Sequence, residues 1–249
     1  ISVSRANDAG LTNDPLNSIK SDLRAHQIGL NSGQMRQALV CAVNASESFA
    51  TLSELDAALE WSERALQMAR ATGWPASIGV CLMQVGDVMR LLGRPDESRA
   101  YLQEALTVMV ALSRSRNHEL VLGNLGQLAL DVRNHAEALD WFDKFEHHLG
   151  ANGEADLTMR LRRGQATAHS RLGRAEQAAV YIAEANGLAQ AMGNADEQIR
   201  VLRIYAEIHR DHALPAPVAM ESPSAELHYL NQAIQIAETL TIVIGALMF

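Results

Sequence analysis

Residues about 40 positions apart in this chain keep being the same kind of residue. One register reads Ser46, Gly86, Gly126, Ala166 and Ala206, small at every step. A second reads Trp61, Tyr101, Trp141, Tyr181 and, after a slip of eight residues, Tyr229. A third gives Ala65, Ala105, Phe145, Ala185 and Ala233, and a fourth Gly33, Gly73, Ser113, Gly153 and Gly193. Four registers in phase mean stacked copies of one supersecondary unit, each burying its apolar face against its neighbours.

The unit reads as two helices. Val80, Cys81, Val85, Val88, Met89 and Leu92 recur at helical spacing, and Gly93-Arg94 interrupts them. Pro95 then opens a second helix, where its missing N–H costs nothing, and Tyr101, Leu102, Ala105, Leu106, Met109 and Leu112 form that helix's apolar stripe. Pro15 and Pro223 repeat the opening, preceded by the capping residues Asp14 and Ser222. Antiparallel helices approach closely only where side chains are small, which assigns Gly86 and Gly126 to contacts with Ser98 and Ala138, and the aromatic register to the space between hairpins. Cys41 and Cys81 share a register with Val121, Leu161 and Val201, so they read as small buried apolar residues rather than a redox or metal pair. Reduced thiols fit a cytoplasmic setting.

The run Gly86, Gly93, Ser98, Tyr101, Ala105-Leu106 resembles the tetratricopeptide repeat (TPR) pattern of small, Gly, Ala, aromatic and Ala. Gly126, Ala138, Trp141, Phe142 and Gly173, Ala178, Tyr181, Ala185 resemble it again. The first unit has Ser46 and Ser53 at the glycine positions, and the last has Glu226 where the family carries alanine. The resemblance implies an all-α, right-handed α-solenoid of antiparallel helix hairpins. Residues 1–249 are then expected to form one array: a leading helix at about 15–31, five pairs at about 34–72, 75–112, 115–149, 154–191 and 195–240, and a truncated sixth start at 241–249. The segment Ala213–Pro223, with prolines at 215, 217 and 223, absorbs the slip and reads as an extended, fairly stiff loop. It fits either a functional insertion or a tolerated one. Both ends predict a piece of a longer chain, with apolar surface at Ile242–Phe249.

Composition narrows function by exclusion. A net charge of −8 makes nucleic acid and anionic membrane poor partners, and no apolar run approaches the roughly 18 residues of a spanning helix. No phosphate-binding, dinucleotide or zinc motif is present. His209-Arg210-Asp211 spells a kinase triplet, but Ala216 stands where that motif needs asparagine. His209 and His212 share a helix face without a placed third ligand and read as a solvated polar turn. No enzyme activity, cofactor or metal is expected.

The stronger signal is arginine. Outward positions of the first helices carry Arg160, Arg163, Thr167, Ser170 and Arg171 in the fourth pair and Arg200, Arg203, Glu207, Arg210 and Asp211 in the fifth. Successive first helices lie about 8–10 Å apart, so Arg160/Arg200 and Arg163/Arg203 stack in register. Earlier pairs put Val40, Val43, Val80, Met83, Leu120 and Gln127 on the same wall, with Asn124 beside them. The wall is expected to be apolar towards the N-terminus and basic towards the C-terminus, where guanidinium forks suit carboxylate or phosphate. The same pattern also fits an ordinary solvated face. The expected partner is a protein or acidic peptide, with self-association through the open C-terminal end as a further expectation. The 40-residue units also resemble bacterial TPR sensory regions that precede diguanylate cyclase (GGDEF) domains, which implies a signalling module. A stand-alone adaptor or chaperone holding a client peptide is the alternative.

Overall fold

The computed structural model describes residues 15–112, 116–150, 153–212 and 225–247. Among them are eleven helices and no strand: α1 (Pro15–Asn31), α2 (Met35–Thr51), α3 (Leu55–Thr72), α4 (Pro75–Leu91), α5 (Pro95–Ala111), α6 (Arg116–Asp131), α7 (His135–Leu149), α8 (Ala155–Arg171), α9 (Ala175–Met192), α10 (Ala195–His212) and α11 (Ala225–Leu247). The fold is a right-handed α-solenoid built of antiparallel helix hairpins. The Ala213–Pro223 segment, the caps at Asp14 and Ser222, Ser113, and the side chains of the Ile242–Phe249 tail lie outside the described residues.

The chain divides into two compact units, Ile1–Asn124 and Leu125–Phe249. In the first, small residues set the helix spacing. A methyl group at Gly86 would lie 2.8 Å from Leu102 Cγ and 3.3 Å from the Ser98 carbonyl oxygen, which is the close approach of α4 and α5 that the repeat register requires. Cys41 and Cys81 are buried and unbridged. Burial pushes the Cys81 thiol up to about 12, the behaviour of a core residue. In the second unit Phe142 is wedged between Gly126 of α6 and Gly164 of α8, with a methyl at either glycine falling within 2.5 Å of the ring. The register equivalents Val121, Leu161 and Val201 are fully buried. Tyr229 is buried, and Trp61, Tyr101, Trp141 and Tyr181 are half-buried.

The turns repeat as well. Residues 33, 53, 93, 133 and 173 all have positive φ. In each case the next residue's N–H reaches back to a carbonyl five residues earlier, as in Arg94 N to Met89 O at 2.9 Å and Asn134 N to Ala129 O at 2.8 Å. This is the Schellman helix stop. Ser53 and Arg133 occupy it with a side chain, at φ 62° and 60°. Gly153, expected in the register of Gly73 and Gly193, is not left-handed; Gly150 is, at φ 68°. The reason is that α7 has 15 residues against 18 in α3 and in α9, so its stop comes earlier.

Candidate functional site

Helices α8 and α10 pack against each other within the second unit. They bring Arg160, Arg163, Arg171, Arg200, Arg203 and Arg210 onto two neighbouring helices, as the register predicts. The electrostatics differ from an open cationic wall. Arg163 is ion-paired to Glu197 at the start of α10, with both side chains mostly buried, at 19% and 14% exposure. Arg200 Nη1 lies 3.9 Å from the same carboxylate. Burial is the main influence on the Arg163 guanidinium and weakens its hold on the proton. Arg160 and Arg200 push the same way, and Glu197 opposes them.

Towards the helix C-termini, Arg171 reaches Asp211 at 3.1 Å and Glu207 at 3.5 Å. Arg210 lies 3.0 Å from Asp211 and 4.0 Å from Glu226. Arg160 and Arg203 are exposed, and neither has an ion-pair partner among the described residues. Six cations thus face four carboxylates, and the excess positive charge sits at Arg160 and Arg203. Between the pairs, Thr167, Arg171, Ile204 and Glu207 border a depression of about 10 Å³, the room one water takes. A ligand here must therefore lie across the wall rather than enter it.

His212 and His209 are not a solvated turn. The His212 ring lies 3.0 Å from Ser170 Oγ and ties α10 to α8. His209 is buried and stacks on Tyr205, 5.3 Å between centroids. Among the described residues no cluster of three or more His, Cys, Asp or Glu could hold a metal. None of the described helices is long and apolar enough to cross a membrane.

In the first unit the expected wall residues differ in exposure. Met83 is half-buried and available, but Val43 is only 9% exposed. One helical turn earlier, Val40 is the exposed valine of α2. Val43 turns inward because the buried face of α2 is wide, taking in Leu39, Cys41, Ala42 and Ala45. On α6, Asn124 and Gln127 are half-buried, and Gln127 donates to Asp131 at 3.0 Å.

Sequence reasoning missed two groups. Glu197 neutralises the centre of the wall; its signal was a carboxylate in the first turn of α10. Arg162, adjacent to Arg163, points the other way. It reaches Glu146 of α7 at 2.7 Å and Glu184 of α9 at 2.8 Å, and Gln165 donates to Glu146 at 2.9 Å.

Residues 80–144 match the family model described as tetratricopeptide repeat. That match covers about a quarter of this chain. No curated protein matches it by sequence. The fold of this chain is similar to that of BtubC (BKLC) from P. vanneervenii, with a TM-score of 0.65 at 11% identity over 94% of this chain and 92% of that one. It is also similar to a Rap protein complexed with Competence and Sporulation Factor, with a TM-score of 0.72 at 14% identity. That match covers 92% of this chain, which spans 61% of the Rap chain. The Rap conjugation gene regulator of plasmid pLS20, in complex with the Phr* peptide, aligns with a TM-score of 0.59 at 13% identity over 94% of this chain and 77% of that one. At these identities the likeness is one of fold.

Proposed function

We propose that this chain is a non-catalytic TPR module whose repeats serve as one interaction region and bind an acidic peptide segment across the α8–α10 wall. The observation that carries this reading is the charge imbalance there. Arg160 and Arg203 stand exposed, with no ion-pair partner among the described residues, beside arginines already held by Glu197, Glu207 and Asp211. Prepositioned guanidinium groups pair with carboxylates in a bidentate way, and a peptide can lie along a surface that has no pocket to enter. A complex with a peptide in a Rap regulator of similar fold supports peptide as the ligand class.

The regulatory setting, a cytoplasmic bacterial TPR region ahead of an output domain such as a diguanylate cyclase, rests on the resemblance of the 40-residue units and of the sequence from His209 to Pro223. The complete reading frame tests it. An output domain following Phe249 supports this setting, and a stop codon there favours the stand-alone adaptor.

The binding test is fluorescence anisotropy with a labelled Asp/Glu-rich decapeptide. Affinity is expected to fall as NaCl rises from 0.05 to 0.5 M, because screening shortens the reach of exposed charges. It is also expected to fall at least tenfold in the Arg160→Ala/Arg203→Ala variant. Binding indifferent to both changes refutes the assignment to this wall.

A further inference from the structure

The second helices of successive hairpins leave a groove between them, and in two of these grooves an ion pair spans the gap. Arg70 of α3 reaches Glu104 of α5 at 3.0 Å. In the groove between α7 and α9, Arg162 rises from α8 on the floor and holds Glu146 on one wall and Glu184 on the other. The groove between α9 and α11 has the same construction without the staple. Forty residues on from Arg162 is Leu202, forty on from Glu146 is Asn186, and Glu184 becomes Gln232 once the eight-residue slip is added. The cation and both anions are replaced by neutral side chains.

The groove is open as a result. Helices α9 and α11 each pack on α10, with their backbones apart from each other as those of the stapled pairs α3/α5 and α7/α9 also are, and here no ion pair bridges the gap among the described residues. The cleft between them measures about 360 Å³, within the roughly 300–1,000 Å³ of small-ligand sites. Carboxamides of Asn186, Gln190, Gln198, Gln232 and Gln235 surround it over a floor of Leu202, and no charged side chain lines it. Gln198 donates to the Ala189 carbonyl at 3.2 Å and Gln232 meets His228 at 3.0 Å, whereas the Asn186 Oδ1 is buried with no protein partner.

The lining selects the ligand. No side chain among the described lining residues offers a charged group a counter-charge. A carboxamide offers both donor and acceptor, matching the alternating N–H and C=O of a peptide main chain. From Gln232 to Thr239 α11 rises about 10 Å, the length of about three extended residues. The cleft faces a direction about 120° round α10 from Arg200, Arg203 and Arg210, at 100° per residue.

We propose that the α9–α11 groove is a second binding site, separate from the arginine wall, which takes a short, uncharged, extended peptide segment through its main chain. The probe is an equimolar pool of acetylated, amidated pentapeptides of Ala, Ser, Leu and Gln, followed by NMR of the ¹⁵N-labelled chain. Saturable shifts of the Asn186 and Gln232 side-chain amides are expected, equal at 0.05 and 0.5 M NaCl. Affinity is expected to fall at least tenfold in the Leu202→Arg/Asn186→Glu/Gln232→Glu variant, which transplants the neighbouring staple. Should circular dichroism show that variant unfolded, Asn186→Ala/Gln232→Ala must give the same loss. No saturable shift at these amides, or undiminished binding in the folded variants, overturns the proposal. So do salt-dependent shifts that map to Arg160 and Arg203, and those shifts would leave the arginine-wall reading standing.

Discussion

Phe142 permits a sharp test of how the repeats are spaced. Its ring is 2% exposed and sits with Gly126 on one side and Gly164 on the other. A Cβ at Gly164 would fall 2.4 Å from Phe142 Cζ, and one at Gly126 would fall 2.5 Å from Cε1. Relief from either methyl drives the ring towards the opposite helix. Overpacking of this kind costs about 1–3 kcal/mol, while replacing a mid-helix glycine with alanine returns roughly 0.5–1 kcal/mol. Gly164→Ala is therefore expected to destabilise by about 0.5–2 kcal/mol. Leucine is the residue one repeat earlier, where Leu102 faces Gly86. In a Phe142→Leu background the ring atoms that meet the new methyl are gone, so Gly164→Ala should become neutral or stabilising. Urea unfolding followed by circular dichroism on the four proteins of this cycle measures the coupling, expected at about 1–2 kcal/mol in the range for contacting residues. Equal penalties for Gly164→Ala in both backgrounds would refute the claim that Phe142 sets the spacing.

Two other outcomes follow from described contacts. Burial raises the Glu146 carboxyl, but hydrogen bonds from Gln165 and Arg162 and the charge of Arg162 outweigh it, leaving the group below its ordinary 4.5. Its contribution is thus present above that value and lost as pH falls through the folded-state one. The stability gap between wild type and Glu146→Gln, read from urea midpoints, should narrow steadily from pH 5 to pH 3. At the helix stops, Gly173→Ala places a β-carbon at φ 74° and should cost about 1–2 kcal/mol, while Ser53→Gly relieves the same strain and should be neutral or stabilising by thermal melt.

Periodicity made the fold legible because the contacts that set it are short-range and repeated. The Gly86–Ser98 approach and the burial of the cysteine register need only the phase and helical geometry. The wall was legible as a set of positions but not as a charge distribution. Arg171 meets Asp211 one 40-residue repeat on, a pairing the register contains, whereas Arg163 meets Glu197 at a separation of 34 residues, which long side chains decide by reach. Of the two wall valines of α2, Val40 is exposed and Val43 buried, because a first helix packed on both sides has only a narrow open face. The α9–α11 groove was hidden for another reason: Leu202 looks like any other apolar residue until the arginine equivalent to it is seen to be a strut.

The two thiols, both fully shielded, combine with the side-chain tolerance of the helix stops to make this chain a natural host for spectroscopic rulers. Ser53→Cys and Arg133→Cys would put reactive groups on exposed turns, one in each compact unit, while Cys41 and Cys81 stay out of reach of the label. A pair of dyes or spin labels attached there would report the separation of the units in solution, with the native cysteines left in place and each helix still ending on its own backbone hydrogen bonds.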